Sequence, residues 1–223
     1  MAGKSILNRK FNNDRYMRIS PLIVLANVLF YVVYFILRSP RFADSSYWMD
    51  LERLVIFQPD LVATGQNIWT FLTFPFFSNR FFPLLFESLI ILIFGTRYEM
   101  EVGSKEFMLL YFSSSFFAAI VSFAVYIISG YELVFYGAGA SIYALILALS
   151  VLHRYESVLL FFILRVKMPM VVIVFLLLDA LYLYLGYNYI GEAILNFLGF
   201  AYALAYVGLR IRISLRQFFE NLI

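Results

Sequence analysis

The sequence predicts an all-α, polytopic membrane protein: a bundle of six transmembrane helices with a membrane-embedded first loop. Three observations carry this. The chain is 63% hydrophobic and 14% charged, where a soluble domain is roughly 25% charged, and its mean hydropathy is +0.86. Six apolar runs fill most of the 223 residues, leaving no room for a second soluble domain. The 17 lysines and arginines sort to one side of those runs, as the positive-inside rule asks.

Residues 1–20 form a basic segment (Lys4, Arg9, Lys10, Arg15 and Arg18 against Asp14). The first helix is expected at about 21–37, near the short end of a span, and no small-residue cleavage pattern follows it. Residues 39–80 mix charges with aromatics. Leu51, Leu54, Val55, Leu61 and Val62 suggest short amphipathic helices at the membrane surface. The second helix is placed at about 81–96, followed by a polar turn from Arg97 to Glu106. The third is placed at about 107–129 and the fourth, short for a span, at about 138–152. The fifth covers about 168–185 and the sixth about 190–209, with a basic tail at 210–223.

An even number of spans puts both termini on one side. With that side cytoplasmic, Arg38, Arg41, Arg53 and Arg80 lie outside and the other thirteen basic residues lie inside. The net charge of +3 therefore reads as an orientation signal rather than a nucleic-acid surface. There is no cysteine and one histidine, which excludes thiolate chemistry and a conventional zinc site. No cofactor or metal is implied; the expected partners are the bilayer and transmembrane segments of other proteins.

The most informative stretch is Tyr136-Gly-Ala-Gly-Ala-Ser-Ile-Tyr-Ala-Leu145. Ala140, Ala144 and Ala148 recur at helical spacing, a face that lets helix backbones approach closely in a bilayer. Gly199 and Ala203 offer a matching small face on the sixth helix, and Gly137 opens the stretch. This segment resembles the G-x-S-G-A-x-Y-A-L opening of the fourth helix in the rhomboid intramembrane serine proteases. Further matches follow in order over roughly 55–210. Leu61-Val-Ala-Thr-Gly-Gln-Asn-Ile-Trp-Thr-Phe-Leu-Thr73 is similar to the family's L-x-x-G-Q-x-W-R-L-x-T. Phe94-Gly-Thr-Arg-Tyr-Glu99 and Val102-Gly-Ser-Lys-Glu-Phe107 match its F-G-x-x-x-E and G-S-x-x-F turn. Ile194-Leu-Asn-Phe-Leu-Gly-Phe200 falls where the family writes A-H-L-G-G.

The residues that work in that family depart from the pattern together. The nucleophile position holds Gly139, the base position falls on Phe197, and the H-x-x-x-N pair that assists the oxyanion falls on Pro83 and Glu87. The arginine after Trp69 is Thr70. Ser141 could substitute only with a base within about 2.6–3.2 Å. The single histidine, His153, lies twelve residues on, roughly 18 Å along the helix, and Lys105 and Lys167 fall at the cytoplasmic side. Ser141 then reads as a buried hydroxyl bonded to a carbonyl of the preceding turn, and His153 as a surface residue at a helix end.

The resemblance implies a catalytically degenerate member, comparable in logic to the derlins and inactive rhomboids, that binds transmembrane helices of client proteins without cleaving them. Trp69, Glu87 and Tyr182 are the client-binding candidates, with the tyrosines around Tyr182 at an interfacial belt. Glu87 and Asp179 lie within spans, where acids are costly and face the bundle or water. Two alternatives are an active serine endopeptidase with an atypical arrangement and a small transporter using Glu87, Asp179 and Glu192. The lack of appended soluble domains favours a bacterial inner membrane over an organelle.

Overall fold

The computed structural model describes residues 18–38, 53–153, 155–160, 164–185 and 190–210. The basic segment 1–17, the tail 211–223, Leu51, Tyr187 and Tyr189 lie outside the described residues, as does the Tyr182 side chain. Helix α1 is Ile19–Leu37, with most of its leucines, valines and phenylalanines facing outward. Two short helices follow, α2 (Pro59–Ala63) and α3 (Thr70–Thr73), the latter continued by a 3-10 turn, Phe74–Phe76. Helix α4 is Phe81–Val102, α5 Ser104–Ser129 and α6 Gly139–Leu152. A hairpin of β1 (Ser157–Leu160) and β2 (Leu164–Lys167) precedes α7 (Met168–Leu185) and α8 (Ile190–Arg210).

Among the described residues, α1, α4, α5 and α8 are long and apolar enough to cross a membrane, and two shorter apolar helices accompany them. The protein is an all-α, multi-pass membrane bundle to which the hairpin is a small addition. Alternating pairing, Ser157 with Lys167 and Leu159 with Arg165, hides that hairpin inside what reads as an apolar run.

Helix α6 is the axis. Every side chain from Ala140 to Val151 is buried, so this helix meets protein all round. Its 14 residues span about 21 Å, less than the roughly 30 Å of a hydrocarbon core. Close packing replaces the absent hydrophobic drive between helices in lipid. A Cβ built on Gly199 would lie 2.2 Å from the Ala140 carbonyl oxygen, so α8 and α6 touch backbone to backbone. Ala144 and Ala203 are fully buried in the same core.

Beyond Arg97 the chain departs from the expected turn: α4 runs on to Val102 and breaks only at Gly103, whose φ of +91° suits glycine. The cause is Glu99. Its buried carboxylate accepts hydrogen bonds from Ile19 N (2.7 Å), Ser20 N (2.9 Å), Ser20 Oγ (2.7 Å) and Ser104 Oγ (2.5 Å). One acid thus caps the first turn of α1 and holds the start of α5, satisfying amides that a helix leaves unpaired.

The long first loop packs against α5 through Phe57, Val62, Phe74, Ala118 and Ala119. It is laced to the segment before α6 by reciprocal bonds between Phe57 and Phe135 (2.9 and 3.0 Å) and by Gly137 N donating to Phe74 O (3.1 Å). That lacing sets where α6 begins.

Candidate functional site

A cavity of about 290 Å³ opens where α6 starts, between α4 and α7. Glu87 comes from α4, Gly139 and Tyr143 from α6, Asp179 from α7, and Glu192 and Asn196 from α8. The floor follows from local backbone. Gly137 takes φ +83°, which favours glycine, and a Cβ there would stand 2.6 Å from Glu87 Oε1 and push that carboxyl group aside. That reversal lets Ala138 N donate to Glu87 Oε1 (3.2 Å). The Glu87 carboxylate therefore sits on the N-terminus of α6, where the helix dipole favours negative charge.

Asn196 fills the space beside Gly139. A Cβ on Gly139 would lie 2.0 Å from Asn196 Oδ1, and Asn196 Nδ2 donates to Asp179 Oδ1 (3.0 Å). This corrects the assignment of the base position to Phe197, which is 37% exposed and turned away. The reason is helical phase. Gly199 faces Ala140, and the residue three before it, Asn196, shares its face, whereas Phe197 is rotated off it. Glu192, Asn196, Gly199 and Ala203 form one stripe at helical spacing, and that periodicity was the available signal for Asn196.

The cavity mouth is bridged. Arg80 forms an ion pair with Glu192, Tyr136 Oη donates to Glu192 Oε1 (2.6 Å), and Arg80 Nη2 donates to Tyr136 Oη (3.3 Å). Burial, followed by the bond to the Glu192 carboxylate, holds the Tyr136 phenol above its usual range, so it stays a donor.

Other predicted residues lie elsewhere. Pro83 lines the cavity wall. Trp69, 53% exposed, donates Nε1 to Leu54 O (2.8 Å) and does not line the cavity; the buried Thr70 bonds to Asn67 O (2.6 Å). Ser141 is buried beneath Gly139's turn, donating to Tyr111 O (2.5 Å) and accepting from Ser115 Oγ (2.6 Å). The carbonyl it uses thus belongs to α5, not to its own helix. His153 is not a free surface residue: it pairs with Glu101 and with Glu156 (Nδ1–Oε1, 2.7 Å) at the hairpin end. Among the described residues, no cluster of His, Asp or Glu is arranged to hold a metal.

The structure is a multi-pass helical bundle whose cavity, mostly apolar but holding Glu87, Asp179 and Glu192, lies between α4 and α7. The match to the rhomboid domain covers residues 65–212, and the chain belongs to the rhomboid family. Among curated proteins, none matches it in sequence.

Proposed function

We propose that this chain is a rhomboid-fold pseudoprotease, oriented with both termini in the cytoplasm, that binds transmembrane helices of client proteins and leaves them uncut. The observation that carries the reading is at Gly139. The family's nucleophile has no side chain here, and the volume it would need is taken by the Asn196 amide. An amide has no basic lone pair to accept a hydroxyl proton at neutral pH, so the pair lacks both halves of a nucleophile–base couple.

Glu87 supports the same reading. A hydrolase needs donors aimed at a developing oxyanion. Here the Ala138 N–H that such a site would offer is already given to the Glu87 carboxyl group. Ser141 offers no escape, since its hydroxyl is buried and bonded to Tyr111 O and Ser115.

Recognition without cleavage uses what remains. Phe82 and Phe86 on α4 and Leu178 on α7 rim the cavity and are exposed, which leaves an apolar flank for a client helix. The test is treatment of the purified full-length protein with a fluorophosphonate probe, alongside a panel of single-span substrates. The reading expects neither label nor product; labelling lost in Ser141→Ala would replace it with the protease reading.

A further inference from the structure

Three side chains meet at the end of the bundle where α4, α6 and α8 begin, and each comes from a different element. Arg80 immediately precedes α4, Tyr136 lies just before α6, and Glu192 sits in the first turn of α8. Arg80 pairs with Glu192. Tyr136 Oη donates to Glu192 Oε1 (2.6 Å) and accepts from Arg80 Nη2 (3.3 Å). The contacts close a ring that ties the three helix starts together.

Helix direction places this ring over the cavity. On α4 the lining runs from Phe82 to Ile90, on α6 from Gly139 to Tyr143, and on α8 from Glu192 to Asn196. All three helices start at the ring, so Ile90 lies roughly 12 Å deeper along α4 than Phe82. Tyr136 and Glu192 line the cavity, yet the Arg80 and Glu192 side chains are 37% and 32% exposed. The ring therefore has a wet face and a cavity face. The flank between α4 and α7 is of another character: Phe82, Phe86 and Leu178 are exposed there and suit lipid.

We infer that Arg80, Tyr136 and Glu192 form a lid that shuts the cavity to the aqueous phase and leaves it open towards lipid, between α4 and α7. Excluding water strengthens the hydrogen bonds below, from Ala138 to Glu87 and from Asn196 to Asp179. Hydrolysis, which consumes water, is denied its reagent. The lid is poised to open, because an ion pair a third exposed is weakly held. It governs water and not clients, so its failure leaves the helix-binding reading standing.

The chain has no cysteine, so Ile142→Cys, on the buried cavity wall, puts a single thiol beneath the lid. Purified full-length protein in nanodiscs presents both aqueous faces to an impermeant cationic methanethiosulfonate, and its flank to a membrane-soluble maleimide. Adding Glu192→Gln or Tyr136→Phe is expected to speed the impermeant reagent at least tenfold while the maleimide rate changes less than threefold. Glu192→Gln removes the charge at constant size and Tyr136→Phe removes only a hydroxyl, so either decides alone should the other misfold. Equal impermeant rates with and without the ring, or no modification in any background, overturn the lid. Equal acceleration of both reagents overturns it too, showing a loosened bundle instead.

Discussion

Gly139 and Asn196 form a single arrangement: one side chain is missing and its neighbour occupies the vacancy. Gly139→Ser should therefore install a hydroxyl but no couple. It is expected to cost about 1–3 kcal/mol as Asn196 is displaced and to remain unlabelled by fluorophosphonate; labelling of this single variant would show that a base had been overlooked. Gly199 is less forgiving, because its neighbour is the Ala140 backbone rather than a movable side chain. Gly199→Val should destabilise by about 3 kcal/mol or more, read as unfolding at lower denaturant in micelles; an unchanged midpoint would refute the backbone contact. That Gly139, Pro83 and Glu87 line one cavity was foreshadowed by the sequence motifs they stand in. Asn196 was not, because a motif aligned by letters ignores helical phase, and only the Gly199–Ala140 contact fixes which residue of α8 faces α6.

Single side chains also decide how elements meet. Glu99 ties α1 to α4 and α5 with four hydrogen bonds. Glu99→Ala leaves those donors unpaired at a buried site and should cost about 3 kcal/mol. Faster proteolysis or hydrogen exchange across α1 checks this; unaltered exchange there would contradict the capping role. At the other end, Arg97, Glu101, His153 and Glu156 clamp the start of the hairpin to α4. The bond with His153, then Arg97, holds the Glu156 carboxyl below its ordinary 4.5. A folded value below the unfolded one means the contribution is complete above pH 4.5 and is lost as pH falls through the lower folded value. A carbon-13 titration of the Glu156 carboxyl should show a midpoint under 4.5; one above it would rule the clamp out. The clamp and the extension of α4 escaped sequence reading for one reason. Arg97, Glu99 and Glu101 look like turn residues until their distant partners, between 52 and 80 positions away, come into view.

At the scale of the molecule, hydropathy and charge made the bundle legible, because a bilayer imposes span lengths and satisfied backbones on any chain that crosses it. The cavity was less so: its walls come from α4, α6, α7 and α8, and sequence spacing within a helix says nothing about which faces converge. Orientation can be checked directly, since the chain has no cysteine. Tyr131 and Tyr155 are exposed at opposite ends of the bundle. With cytoplasmic termini, an impermeant maleimide added outside cells should label Tyr131→Cys and spare Tyr155→Cys; the reverse pattern would invert the topology. The central claim, that clients are held and not cut, is tested most directly by photocrosslinking in the native membrane from a diazirine amino acid placed at Phe82 or Leu178. The account predicts adducts with membrane proteins whose client portion has its full-length mass. Adducts that carry a truncated client, or none at either position, would contradict it.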